Sequence, residues 1–262
     1  MKKISSAVAT IAALLALAMP ANAKDETKSE MTTASQPINI KIASYNILHG
    51  AKVNCDYAVL AKDIAEVDPD IIGLQEVDMK TTRIGGVDAV EIMAKKAGYK
   101  YYRFSKSINL KGGGYGTAIL SKFPIEEYQT VALESGKHEK RSVGHAVLRV
   151  RGKRLDFFNT HLSYESTKVR AGQFAAIADM TAKCERYIVT GDFNTSDFAE
   201  FAVFKGATLA NNAQHSLPTF PGSSMPIDNI VLSKGFELIS TDIRKNDHSD
   251  HYLFYAQTKL SE

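Results

Sequence analysis

Beyond residue 37 the chain is a succession of short apolar runs broken by Gly, Pro, Asn and Asp, the spacing of strands rather than of long helices. Ile40-Lys41-Ile42-Ala43 alternates apolar with other positions, and Ile71-Ile72-Gly73-Leu74 follows a Pro-Asp turn. Further strand-like runs are Thr117 to Ser121, Gly144 to Val150, Leu155 to Asn159, Tyr187 to Thr190, Ile230 to Leu232 and Tyr252 to Gln257. Three segments have helical spacing instead. Asp56 precedes a stripe of Leu60, Ile64 and Val67, where an aspartate can accept from the free N–H groups of a first turn, and Asp68-Pro69 stops the run. Asp88 to Ala97 ends at Gly98, a residue that tolerates the left-handed turn after a helix. Ser166 to Ala182 sets Phe174, Ile177 and Met180 on one face, a stripe that points to a core. Strands outnumber helices, and the helices fall between groups of strands. The pattern predicts an α+β fold, with two packed, mainly antiparallel β-sheets flanked by helices in a four-layer α/β/β/α sandwich.

The first residues do not fit that pattern. Lys2 and Lys3 precede an apolar run from Ile11 to Met19 that is too short to span a bilayer, and Ala21-Asn22-Ala23 supplies a small-x-small cleavage pattern. The expectation is a signal peptide over residues 1–23, a polar flexible linker over 24–37 and one folded domain over 38–262. Export would place the protein in the periplasm or outside the cell. No cysteine follows the cleavage site, which argues against a lipid anchor, and nothing suggests an integral membrane protein or an obligate protein partner. The formal charge of +3 includes Lys2 and Lys3, so the folded domain is near neutral and has no bulk electrostatic footprint for nucleic acid. Cys55 and Cys184 would enter an oxidising compartment, where a disulfide is permitted but not implied by their spacing; two separate thiols or a minor structural bridge are the favoured readings.

The candidate chemistry lies at the ends of the strand-like runs. Asn46, Glu76, His161 and Asp192 follow or close theirs, while Asp228, Asp250 and His251 precede or open theirs. Where neighbouring strands run antiparallel, ends of some meet starts of others at one rim, so all seven can share a pocket. Hard oxygen donors with two histidines and no thiolate suit magnesium-assisted attack on a phosphate ester. Glu76, closing an apolar strand, is the strongest candidate metal ligand, with the Asn46 amide able to hold a metal's water shell or a phosphate oxygen. Asp78 reads as a solvated loop acid. In Gly191-Asp192-Phe193-Asn194, glycine permits a sharp turn, Asp192 can orient or deprotonate water, Asn194 can bond phosphate and Phe193 is expected to be buried. His161 and His251 titrate near neutrality, with Asp228 placed to fix one imidazole's tautomer. Arg141 is a candidate clamp on a phosphate oxygen.

These motifs resemble the endonuclease/exonuclease/phosphatase superfamily from about Ile40 to Gln257. The likeness includes Gly114-Tyr115-Gly116-Thr117-Ala118-Ile119-Leu120-Ser121 and the Arg170/Gln173 pair. The resemblance implies a catalytic domain with Asn46 and Glu76 at the metal site and Asp250 beside it. It further implies His161 as the phosphate-side acid, Asp192 and Asn194 handling water and phosphate, and Asp228 with His251 as a paired base. Thr117 stands where many relatives have Asn, near the phosphate side of the cleft. The expected enzyme is a secreted Mg2+-dependent phosphoric ester hydrolase, with Mn2+ a possible substitute. A phosphodiesterase is favoured, acting on a small molecule, a nucleotide, a lipid headgroup or nucleic acid. A secreted nuclease is the first alternative, with Lys106, Lys111, Lys137, Lys140 and Arg141 as its basic stripe. A catalytically inactive binding module is the second.

Overall fold

The computed structural model describes residues 37–260. The expected signal peptide, and the linker as far as residue 36, lie outside the described residues. The strands are β1 (Ile38–Asn46), β2 (Ile71–Met79), β3 (Tyr101–Leu110), β4 (Gly113–Ser121), β5 (Ile125–Leu133), β6 (Arg141–Val150), β7 (Lys153–His161), β8 (Tyr187–Asp192), β9 (Thr208–Leu209), β10 (Asp228–Leu232), β11 (Phe236–Arg244) and β12 (Leu253–Leu260). The α-helices are α1 (Tyr57–Val67), α2 (Ala89–Lys96) and α3 (Thr167–Thr181). Each helix begins where the sequence supplies a cap. Asp56 accepts from the Ala58 N–H, Asp88 from Glu91 and Ser166 from Val169, satisfying donors that the first turn leaves free.

The strands form two six-stranded sheets, ordered β11-β12-β1-β2-β4-β3 and β5-β6-β7-β8-β10-β9. Most neighbours are antiparallel, but the central pairs β1–β2 and β7–β8 are parallel. Side-chain alternation then sorts the apolar residues into three clusters. Ala43, Tyr45, Ile72 and Leu74 face α1 and α2, whereas Phe158, Val189 and Val231 meet Phe174 and Ile177 of α3. Ile40, Ile42, Ile71, Phe157, Ile188 and Ile230 fill the space between the sheets. Burying one such side chain stabilises the fold by about 1.5–3 kcal/mol. The expected four-layer sandwich is thus the observed one.

Between the sheets, one step further along the strands, the core becomes polar. Gln75 donates to Ser44 Oγ and to Asn159 Oδ1, at 3.1 and 2.7 Å. Asn159 in turn donates to the carbonyls of Leu74 and Ala118, and Thr190 donates to Asn159 Oδ1. This seam ties the central strands of one sheet to those of the other, and Gly73 is what lets them approach. A Cβ there would sit 2.3 Å from both Asn159 Oδ1 and Thr190 Oγ1. Gly73→Ala is therefore expected to cost about 2–3 kcal/mol, as overpacking of a closed interior does. Urea unfolding should show a lower midpoint at unchanged slope. An unmoved midpoint would mean that the seam does not clamp the sheets.

Candidate active site

The pocket is the open end of this inter-sheet layer. Ile42, Ser44 and Asn46 point the same way along β1, as do Phe157, Asn159 and His161 on β7 and Ile188, Thr190 and Asp192 on β8. Each strand passes from apolar to neutral polar to functional side chain in steps of two. The registers align the rows: Asn159 pairs with Thr190, His161 with Asp192, and Asp228 with Asp192 on the other side. Because β10 and β12 run against β8 and β1, Asp228 at the start of β10 and Asp250-His251 before β12 arrive at the same rim.

Glu76 reaches the rim through a β-bulge. Leu74 opposes Ala118 and Val77 opposes Gly116, so Gln75 and Glu76 together face Thr117. Glu76 has φ of 55°, a left-handed conformation that costs of order 1–3 kcal/mol for a residue other than glycine and recurs at functional sites. The extra residue sends Gln75 into the seam and Glu76 into the pocket.

The groups then converge. Asn46 Nδ2 donates to Glu76 Oε1 at 3.1 Å and to Asp192 Oδ2 at 3.0 Å, while its Oδ1 accepts from the Leu48 N–H. His251 Nδ1 donates to Asp228 Oδ2 at 2.8 Å, and its Nε2 lies 3.6 Å from Asp192 Oδ2. His161 Nε2 lies 3.5 Å from that same oxygen. Arg141 Nη1 donates to His161 Nδ1 at 3.0 Å; a guanidinium can only donate, so Nδ1 carries the lone pair and Nε2 the proton. The Asn194 backbone N–H caps Asp192 Oδ1, and its side chain donates to the Leu162 carbonyl, both at 2.9 Å. Phe193 is buried, as expected.

Burial and charge separate the titrating groups. Burial and the nearby Arg141 push His161 down to about 3, so it is a neutral imidazole at physiological pH. Burial also works against His251⁺, but the carboxylates of Asp228 and Asp192 outweigh it and raise this ring to about 10. Burial, reinforced by Asp228, holds Asp192 above the usual carboxylate range despite the opposing charge of His251. Burial raises Glu76 as well, yet the polar groups around it, His49 and the Asn46 amide among them, bring it to about 2. His49 Nδ1 is 3.9 Å from Glu76 Oε2, too far for a hydrogen bond, so it acts through space.

Glu76 Oε2 accepts no hydrogen bond among the described residues, which leaves an ionised carboxylate oxygen free in an oxygen-rich cavity also lined by Asp250. That donor set fits a hard divalent cation. Asp192, Asp228 and His251 are also close enough together to hold an ion. Within that group His251 Nδ1 and Asp228 Oδ2 already bond each other, whereas Glu76 Oε2 is free, so Glu76 is the better anchor. A second close group, His145, Asp156 and Cys184, is similarly closed. There His145 donates to Asp156, Gln129 donates to His145, and Arg154 grips both Asp156 oxygens.

Two residues, Asp78 and Thr117, lie elsewhere than the sequence suggests. Asp78 is buried, not solvated, because Arg83 and Thr81 bond its carboxylate. Thr117, only 1% exposed, sits across the bulge beneath the cavity rather than in its wall, and its Oγ1 has no partner among the described residues. Cys55 and Cys184 are separate free thiols away from the cavity. The cavity has a volume of about 860 Å³, and sequence reasoning missed much of its wall, including Tyr115, Glu139, Tyr164, Asp197, Glu200, Phe220 and Met225. Most of these come from loops, where no periodicity marks them.

Residues 43–251 match the Endonuclease/Exonuclease/phosphatase family model. The chain belongs to that family. Its members are phosphoester hydrolases, nucleases and phosphatases among them. No curated protein matches the chain. Among solved structures it resembles an endonuclease/exonuclease/phosphatase from Beutenbergia cavernae, with TM-score 0.72 and 18% identity over 85% of this chain and 72% of that one. A mannosyl-6-phosphatase from Bacteroides thetaiotaomicron aligns with TM-score 0.66 and 19% identity over 84% and 99% of the two chains. TDP2 from D. rerio, complexed with a single-strand DNA product, aligns with TM-score 0.67 and 19% identity over 84% and 98%. At these identities the likeness speaks for the fold alone.

The loop carrying Asp250 and His251 is held from below by one carboxylate. Asp63 of α1, fully buried, accepts from Arg244, Asn246 and His248, while Ser249 donates to the Asn46 carbonyl. Hydrogen bonds to a charged group contribute about 1.5–3 kcal/mol, and Arg244, part exposed, keeps Glu66 when Asp63 is lost. Asp63→Ala should lower stability by that order and loosen Asp250 and His251. Thermal unfolding and amide exchange over residues 245–252 would read both. Unchanged exchange there would mean the loop is held by other contacts.

Proposed function

We propose that the chain is a metal-dependent phosphoester hydrolase, and specifically a phosphodiesterase that directs water in line at phosphorus. The observation that carries this reading is Asp192, flanked by the neutral His161 and the charged His251, with Glu76 bridged to it through Asn46. The raised Asp192 carboxylate is the group suited to accept the water's proton. His251, expected with Asp228 as a paired base, is instead held charged by Asp228 and Asp192 and offers a positive N–H to the phosphoryl oxygens. His161 presents Nε2–H to the phosphate side, fixed in that tautomer by Arg141, and Asn194 retains a second amide N–H for a phosphate oxygen. Arg141 joins them as a phosphate clamp. Such fixed donors, aimed where charge develops, supply most of the acceleration in hydrolysis of this kind.

Glu76 and Asp250, backed by Asn46, would hold the metal, for which Mg2+ is the natural choice and Mn2+ a substitute. When bound, it supplies positive charge against the phosphate. No cysteine lines the cavity, which favours water over a protein thiol as nucleophile. The N-terminal pattern of Lys2, Lys3, the apolar run and Ala21-Asn22-Ala23 supports export, so the substrate is met outside the cytoplasm. Among the described residues no helix is long and apolar enough to cross a membrane.

Glu76→Gln should weaken Mg2+ or Mn2+ binding strongly in calorimetric titration; unchanged affinity would take Glu76 out of the metal site. His161→Ala and His251→Ala should each reduce turnover of a model diester by roughly a hundredfold while the protein stays folded, whereas His138→Ala is silent. Equal rates for the three would break the histidine assignment. N-terminal sequencing of exported protein should begin at Lys24, and an intact Met1 in the cytosol would overturn the compartment.

A further inference from the structure

The cavity mouth combines two features that the chemistry alone does not require. The first is charge. Its lining holds the carboxylates of Glu76, Glu139, Asp192, Asp197, Glu200 and Asp250 against only two guanidiniums, Arg141 and Arg170. Both guanidiniums are already engaged, Arg141 with Glu139 at 2.8 Å and Arg170 with both oxygens of Glu200. What remains for a ligand is narrow. Arg141 is 4% exposed, and its Nε has no partner among the described residues. Lys106, Lys111, Lys137 and Lys140, the basic stripe a nuclease would need, do not line the cavity.

The second feature is an apolar wall. Five large apolar side chains are exposed among the described residues, and two of them, Tyr164 at 68% and Met225 at 37%, line this one cavity. Met225 is presented by a tight turn in which Phe220 and Met225 exchange backbone hydrogen bonds, and the Phe220 ring lies 4.9 Å from that of His251. Tyr115 and Ile227 complete the apolar lining. Exposed aromatic surface beside a polar centre is the usual device for seating a flat organic group.

We infer that the substrate carries a single phosphate and an uncharged organic group with a flat apolar face, which seats on Tyr164, Phe220 and Met225, and that the acidic mouth rejects nucleic-acid strands. The inference rests on the phosphoester reading above and narrows it. A strand carries a charge every few ångströms, so phosphates flanking the bound one run past the mouth. There Glu200 is paired with Arg170, but Asp197 forms no ion pair among the described residues and repels over a screening length of about 8 Å. A lone phosphate meets instead the N–H groups of His161 and His251 in the cavity lining. The organic group then contributes affinity by leaving water.

The test uses the full mature chain with Mg2+ and separates binding from turnover. Calorimetry with phenyl phosphate, methyl phosphate and inorganic phosphate should show the phenyl ester about tenfold tighter than the methyl ester. In Tyr164→Ala/Met225→Ala that gap should close, with inorganic phosphate bound as before. In parallel, bis(4-nitrophenyl) phosphate should be cleaved at least a hundredfold more efficiently than each linkage of a 12-nucleotide DNA strand. Asp197→Asn, which keeps the cap on the Ala199 N–H, should raise the DNA rate several-fold. Equal affinities for the phenyl and methyl esters, or equal efficiency on DNA and the diaryl ester, would overturn the inference. Hydrolysis of no ester at all would sink the phosphoester reading, while the phenyl-to-methyl ratio would still decide the apolar seat.

Discussion

The bulge in β2 is the constraint on which the site depends. Strand alternation sends every second side chain between the sheets, and a regular β2 would have continued from Ile71, Gly73 and Gln75 to Val77 on that face. Two residues against Thr117 break the count. Val77 returns to the core beneath the helices, Gln75 stays in the seam, and Glu76 projects into the pocket in a left-handed conformation. The strain is small beside the packing of both sheets, which holds it in place. Without that extra residue the carboxylate would have no route to Asp192 and Asn46.

The same layer explains why a charged site is tolerated at the end of a hydrophobic sandwich. Polarity rises gradually along the strands, from Phe157 and Ile188, through Asn159 and Thr190, to His161 and Asp192. The intermediate amides and hydroxyls bond one another, so most polar atoms between the apolar core and the ionised rim are satisfied, with Gln75 Oε1 and Thr117 Oγ1 left over. Burial at the rim sets the chemistry. It leaves His161 neutral, while the carboxylates keep His251 charged. Two histidines beside the same Asp192 oxygen thereby differ in charge, a division that follows from neighbours rather than residue type.

Support for this rim comes from beneath on both sides. Asp63 gathers Arg244, Asn246 and His248 under the loop that presents His251. Opposite, Arg170 and Gln173 of α3 pin the segment after His161, through the Ser163 carbonyl and the Ser163 N–H respectively. The cavity wall that faces substrate is less tightly framed. It is built from the turn at Phe220–Met225 and from Tyr164, so the proposed chemistry sits on strand ends and the proposed selectivity on loops.

The sequence by itself determined the layers, the three helices with the Asp56 cap, and the candidate site residues, because these depend on period, local capping and strong residue types at strand ends. The strands it left unmarked, β3, β5, β9 and β11, are the four sheet edges. Edge strands are half exposed, so their apolar pattern is diluted, and pairing with a neighbour defines them. Tertiary structure alone decided that Asp78 is buried on Arg83, that Thr117 lies under the floor, and which histidine is charged. It also assembled the wall of Tyr164, Phe220 and Met225 with Asp197 and Glu200. A side chain's ionisation and its company in a pocket depend on distances across the fold, and periodicity along one chain has no access to them.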